Sequence, residues 1–229
     1  MIIFAPTTLN NIHRIQSELK MKNLILLTAV LFTANAFAED MVPLASELPK
    51  PLMVGTPVPI SIPNLEPKLK KRPDFQVPAG TVNLAKGKKV TTSSGDPIVG
   101  TIDLITDGDK EGDEGSWVEL DANKQWVQID LEKTANISAI LVWHFHSQER
   151  VYRDVVVQIS DDPKFEKDVT TIYDNSAAGK DHPYIESYLG KLIDAKGAKG
   201  RYVRLSSAGN TTNKLNHYIE VEVFGKPAA

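Results

Sequence analysis

Cysteine is missing from all 229 residues. That absence excludes a disulfide framework, a lipid-modified cysteine at an export cleavage site and any thiolate metal site. Helical periodicity is missing too. No long stretch repeats apolar residues at the spacing of an amphipathic helix, and no helix-sized segments separate the strand-like runs, which disfavours a parallel α/β sheet. There is no Ser/His/Asp motif, no nucleophile elbow, no Gly-rich phosphate loop and no nucleic-acid-binding motif. Long apolar runs are scarce. The one present, Leu24 to Phe32, is too short to span a membrane as a mature anchor.

What is there begins with that run. Lys20 and Lys22 precede it and Ala36-Phe37-Ala38 follows, giving the three parts of a secretory signal peptide cleaved after Ala38. Residues 1–38 therefore read as an export signal, with the start at Met1 or at Met21, and the mature chain as periplasmic or extracellular with no transmembrane segment. Removing Arg14, Lys20, Lys22 and Glu18 leaves the chain more acidic than the −3 of the full sequence.

From Glu39 to Gly80 the composition changes. Pro43, Pro49, Pro51, Pro57, Pro59, Pro63, Pro67, Pro73 and Pro78 recur too often for a helix or a central strand, so residues 39–80 read as an extended, partly polyproline linker. Lys68, Lys70, Lys71 and Arg72 read as its solvated face rather than as a nucleic-acid site. Residues 81–229 are then the globular part, about 150 residues, enough to bury a core without a staple.

Strand signals follow in order: Trp126 to Leu131, Ile137 to His146, Asp154 to Ser160, Val169 to Tyr173, Arg201 to Leu205 and Tyr218 to Phe224. Asp161-Asp162-Pro163, Asp174-Asn175-Ser176, Lys196-Gly197 and Gly209-Asn210 mark turns between them. The fold class is all-β, an antiparallel two-sheet sandwich. Two stretches stand out chemically. Between Asp103 and Asp121 eight acids face only Lys110, in a turn-rich loop that is either solvated or wrapped round a hard cation. Between two strands, Trp143, His144, His146, Arg150, Tyr152 and Arg153 crowd together, and rings with planar donors at a loop tip point to a contact surface.

Trp126-Val127-Gln128-Ile129-Asp130-Leu131, the run from Arg150 to Asp162, Arg201-Tyr202-Val203-Arg204-Leu205 and the closing run from Ile219 to Gly225 resemble the coagulation factor 5/8 type C (discoidin) domain. That family belongs to the galactose-binding-like group, which also holds the family 32 carbohydrate-binding modules. The resemblance covers roughly Val82 to Gly225 and implies a jelly-roll sandwich. It also implies a calcium held by Asp107, Asp109 and Glu220. Position 112, where it expects a hydroxyl, is Gly, so Asp113 or a carbonyl takes that place, or the loop is only solvated.

For the second stretch the resemblance implies a sugar bond from His144 or His146. An aromatic ring stacks on the flat face of a sugar while His, Arg and Asn meet its hydroxyls. The candidate ligand-binding residues are therefore His144, His146, Arg150 and Tyr152, with Asn213, Asn216 and His217 from the polar loop before the last strand. A pair of core or sheet-surface histidines, a transition metal shared with His217 and a simple Asn/Thr turn are the alternatives. The reading is a non-catalytic module for a glycan or glycosylated surface. A protein- or lipid-contacting adhesion module is the alternative, and a glycan-active enzyme comes last. Glu220 and Glu222 lie about 7 Å apart on one strand face, compatible with glycosidase carboxylates, but outward acids on a single strand are usually solvated or metal-bound.

Overall fold

The computed structural model describes residues 39–228. The chain divides into two units, residues 1–40 and 41–229, and the account that follows concerns the second; the expected signal peptide lies outside the described residues.

β6 (Lys124–Trp143) and β9 (Lys191–Ala208) carry the fold. They pair antiparallel along most of their length, Lys124 opposite Ala208 and Val142 opposite Lys191. β11 (Glu220–Pro227) covers the second half of β6, and β3 (Val82–Asn83) edges β11. On the other side β7 (Val156–Ser160) pairs with β9, and β8 (Thr170–Asp174) pairs with β7. β4 (Val90–Thr92) lies along the first half of β6. A short sheet of β5 (Val118–Leu120) and β10 (Asn216–Tyr218), with a 3-10 helix over Ile102–Thr106, completes an antiparallel β-sandwich of the expected class.

The strand boundaries differ from the expectation in an instructive way. Trp126 to Leu131 and Ile137 to Trp143 are two halves of one bent strand, which stops before His144, with irregularities between Asp130 and Ala135 and between Ile137 and Ala139. Lys196-Gly197, expected to be a turn, sits inside β9 at φ 53 and 72. There Ser138 of β6 faces Ala195 to Gly197 of β9, so the left-handed pair makes a bulge that bends the sheet without ending it. The expected last strand is split instead. Ile219 donates its amide to Trp143 O at 2.8 Å, and the chain passes from β10 in the small sheet to β11 in the large one.

In β6 the run Ile140-Leu141-Val142-Trp143 is apolar at both parities, so neither face tolerates water. Ile140 and Val142 point into the main core with Val127, Ile129, Val157, Leu205, Val221 and Val223. Ala139, Leu141 and Trp143 point the other way, into a second cluster with Ile219 and Phe224, against which Leu44, Phe75 and Trp117 pack. Leu44 and Phe75 belong to the proline-rich segment. That segment lies on the domain instead of standing free as a tether. β1 (Met41–Pro43) pairs with β2 (Gln76–Pro78), Val77 is buried, and Arg72 donates to Leu189 O at 2.8 Å and to Ser46 O at 3.2 Å while stacking over Trp143. The reason is the second apolar face of β6, which Leu44 and Phe75 help Trp117 and Leu192 to cover.

Candidate functional site

β6 ends at Trp143, and the chain turns at once through His144 to Arg150 before Tyr152 bridges to Asn210. Thr211 N bonds Val151 O at 3.0 Å, Arg153 N bonds Gly209 O at 2.9 Å and Ala208 N bonds Arg153 O at 2.8 Å. Two loops laced by their backbones close over the end of the sheet. As a result His144, His146, Arg150, Tyr152, Asn216 and His217 are each at most 4% exposed, and Asn213 alone of the expected rim faces solvent. The rings are turned inward, which corrects the expectation of a displayed loop tip.

His144 is at the centre. Its ring stacks on Tyr152 with centroids 4.3 Å apart and planes at 20°, and lies 4.7 Å from the ring of Tyr218. Its Nδ1 is 2.7 Å from Glu186 Oε1 and 3.5 Å from the Tyr184 hydroxyl. Beside it Tyr152 donates its hydroxyl to His217 Nδ1 at 2.9 Å, and His217 Nε2 donates to Glu119 Oε2 at 3.0 Å. A donor on one side and an acceptor on the other suit the neutral imidazole. Burial, with Arg150 and His144 near, pushes the His217 pKa down to about 3. Arg150 lies over Phe145, 4.6 Å from its centroid, and donates to Gln148 Oε1 at 2.6 Å.

Three atoms of this group are buried without a protein partner: His144 Nε2, Glu186 Oε2 and Arg150 Nε. A buried polar atom left bare costs about 1–3 kcal/mol. The cluster therefore offers fixed donors and acceptors between ring faces, the chemistry that hydroxyl-bearing molecules require.

The other expected residues have different work. His146 does not share a face with His144, because the strand has ended; its Nε2 lies 3.0 Å from Lys110 O, in the acidic loop. No group of three or more His, Cys, Asp or Glu side chains able to hold a metal occurs among the described residues, so the transition-metal alternative lapses on its ligand set. Asn216 is fully engaged: Oδ1 accepts from Ser207 Oγ and Gly209 N, and Nδ2 donates to Asp121 O and Asn123 O. It pins the hairpin. Asn213 Oδ1 accepts from Asn210 Nδ2 and Leu215 N, as in a simple turn.

In the acidic loop, Asp107 Oδ1 accepts Asp109 N and Asp109 Oδ1 accepts Glu111 N, at 2.8 and 2.9 Å. Glu220, at the start of β11, is fully buried; its Oε2 accepts Gly108 N at 3.2 Å and its Oε1 has no partner. Burial, with Glu222 and Asp107 adding their charge, pushes its pKa up to about 9. Burial likewise raises Asp107, helped by Asp109 and Asp103. Glu222 is committed elsewhere, to Lys110 at 3.0 Å and Ser46 at 2.5 Å. Gly112 is Gly for a steric reason: a Cβ there would fall 2.1 Å from Ser147 Oγ. Further along the loop Ser116 Oγ donates to Asp113 Oδ1 at 2.7 Å and Asp109 Oδ2 at 3.3 Å.

Sequence reasoning misses Ser116, Glu119, Tyr184 and Glu186. The signal for the last two is present in His182-Pro183-Tyr184-Ile185-Glu186, where a ring and a carboxylate two residues apart leave a proline.

Residues 104–205 match the NedA-like, galactose-binding domain of the F5/8 type C family. Among solved structures, the family 89 glycoside hydrolase from Clostridium perfringens, in complex with 2-acetamido-1,2-dideoxynojirmycin, is 22% identical over 64% of this chain with a TM-score of 0.49; the match spans 15% of that enzyme. A Streptococcus pneumoniae fucose binding module is 25% identical over 62% of this chain and 96% of its own, TM-score 0.44. The CBM32 of AlyQ in complex with 4,5-unsaturated mannuronic acid is 20% identical over 59% and 93% of the two chains, TM-score 0.42. No curated protein matches the chain. Over residues 104–205, then, the antiparallel sandwich of this chain is similar to the discoidin-like, galactose-binding domains of the F5/8 type C family.

Proposed function

We propose that this domain is a non-catalytic module that binds a glycan or glycosylated surface at the loop end of the sandwich. The observation that carries the reading is the stacked His144–Tyr152 pair with the bare polar atoms of His144, Glu186 and Arg150 around it. Tyr152, His217 and Arg150 complete the lining. Catalysis is not part of the proposal, because Glu222 is spent on Lys110 and Ser46. A glycan array probed with the intact protein tests the reading, with Arg150→Gln expected to weaken any hit. Absence of every glycan signal, repeated with free sugars at millimolar concentration, overturns it.

A structural calcium belongs to the same proposal. The fit rests on Glu220 Oε1, buried and bare beside the Asp107 loop; a hard cation there keeps both carboxylates ionised. Asp107, Asp109, Glu220 and the hydroxyl of Ser116 would have to close together to hold it, since among the described residues no three such carboxylates are already gathered for a metal; loop carbonyls and water would supply the remaining oxygens. The ion's role is to tie the loop to β11. Export is proposed on the sequence of residues 1–38, and amino-terminal sequencing of secreted protein should begin at Glu39. A protein-contacting role is the second reading, favoured by the exposed Leu52, Met53, Val54 and Val58.

A further inference from the structure

The proline-rich segment is held very differently at its ends and in its middle. Its ends are built into the fold by the β1–β2 pairing, by Leu44 and Phe75 against the Trp143 cluster and by Arg72. Between them, residues 50–59 are exposed without exception. The middle touches the domain at separate points. Val54 N bonds Ser147 O at 2.7 Å and Glu66 N bonds Pro183 O at 2.8 Å. Lys68 pairs with Glu149, and Lys191 with Glu66 at 2.6 Å. Val58 to Ile62 face Glu149, Thr211 and Thr212 across a groove of about 370 Å³. Those points fall on the three loops that frame the His144 cluster, 144–153, 183–191 and 209–217; one more, Lys50 N to Glu111 Oε2 at 3.2 Å, falls on the acidic loop.

At the loop 183–191 the segment covers a cavity of about 30 Å³, with Glu66, Pro67, Lys68 and Leu69 as one wall and Tyr184 and Glu186 in the other. That is room for a water and far too little for a sugar ring. Glu186, whose Oε2 is bare, faces this space.

We propose that residues 48–71 are a strap, fixed at both ends, that closes the glycan site in the resting protein and lifts to admit the ligand. The inference rests on the reading of the loop end as a glycan site. Its middle is held by few backbone bonds, by the part-buried Lys191–Glu66 pair and by the more exposed Lys68–Glu149 pair, the weaker kind. The prolines keep it extended whether docked or lifted, so closing it orders little chain. The fixed ends keep it attached when open. A site that is open in only a fraction of molecules binds with an apparent Kd raised by the inverse of that fraction.

Since the chain has no cysteine, a Lys68→Cys/Glu149→Cys pair bridged by a short bismaleimide locks the strap at one known point. A second variant replaces residues 50–69 by a Gly/Ser linker of equal length and keeps both fixed ends. On a glycan array the replaced protein is expected to bind about ten- to a hundredfold more strongly than the native one, the inverse of an open fraction of a tenth to a hundredth. The bridged protein is expected to lose the signal that its unbridged parent gives. Equal binding by bridged and unbridged protein overturns the strap, and this comparison stands even where the replaced variant fails to fold. Should none of the proteins bind any glycan, the glycan reading falls. Hydrogen exchange then decides the strap: amides of residues 183–190 slowed by the bridge and quickened by the replacement sustain a strap over a site for another ligand, and equal rates in all forms overturn it.

Discussion

His144 Nδ1 lies 2.7 Å from Glu186 Oε1, with neither side chain more than 1% exposed. A pair so placed is part of the structure as well as part of a surface. His144→Ala removes one partner and strands a carboxylate in the interior, a loss of about 3 kcal/mol or more, or about 6–12 °C in Tm for a chain of this size. Glu186→Gln should cost less, because the amide oxygen still meets the ring. Thermal melts of the two variants check this, and an unchanged Tm for His144→Ala would place the ring outside the packed end.

The pH dependence follows from Glu220. Its folded pKa, about 9, stands above the ordinary 4.5, so the folded state takes up the proton more readily than the unfolded chain. The stability this contributes is fully present below about pH 4.5 and is lost as pH rises through about 9. In chelator the Tm should therefore fall across that window, and Glu220→Gln should flatten the fall. A slope that survives Glu220→Gln would assign the effect to another group.

The proposed calcium would act on the same carboxylate. A ligand that binds only the folded state adds about 2.7 kcal/mol at a hundredfold excess over Kd, so chelation should lower the Tm by about 5–10 °C. Asp107→Asn should reproduce most of that loss. Ser116→Ala should raise the calcium concentration needed for half of the gain, while Glu222→Gln leaves that concentration unchanged. A melting curve that chelator does not move, at low ionic strength, means that the loop is only solvated.

Arg72 tests the docking of the proline-rich segment. Its guanidinium joins Leu189 O, Ser46 O and the face of Trp143, so Arg72→Ala should cost about 1–3 kcal/mol. In the native protein thermolysin should cut within residues 51–59 and leave 41–46 bound through β1 and β2. Arg72→Ala should speed cleavage beyond that window, toward Phe75. Uniform cleavage from 41 to 78 in native protein would mean that the ends are not anchored.

Much of the fold was legible where side-chain parity spoke. Ile140 to Trp143 is apolar at both parities, and both faces of β6 are covered. What covers the second face was not legible, because Leu44 and Phe75 stand in a proline-rich stretch without period. Its docking runs through backbone atoms such as Ser147 O and Leu189 O, which composition does not encode. Lys196-Gly197 reads as a turn by residue type, yet a left-handed pair also makes a bulge when strands continue on both sides. At the loop end, His144, Arg150, Tyr152 and His217 stand out by residue type, and the fold gathers them. Their inward orientation was not legible, since it depends on where β6 stops and on Glu186, which is 42 residues away.

The placement of β6 bears on how the chain folds. Its second half, from Ala135 to Trp143, has β9 on one edge and β11 on the other, so both neighbours come from residues later than 190. Contacts between residues so far apart in sequence form slowly, and a growing chain presents its amino-terminal part first. Ile140 to Trp143 therefore waits uncovered until Glu220–Pro227 has been made. A chain that stops before Glu220 is not a smaller domain; it is an apolar strand with one edge open, ready to pair with its like.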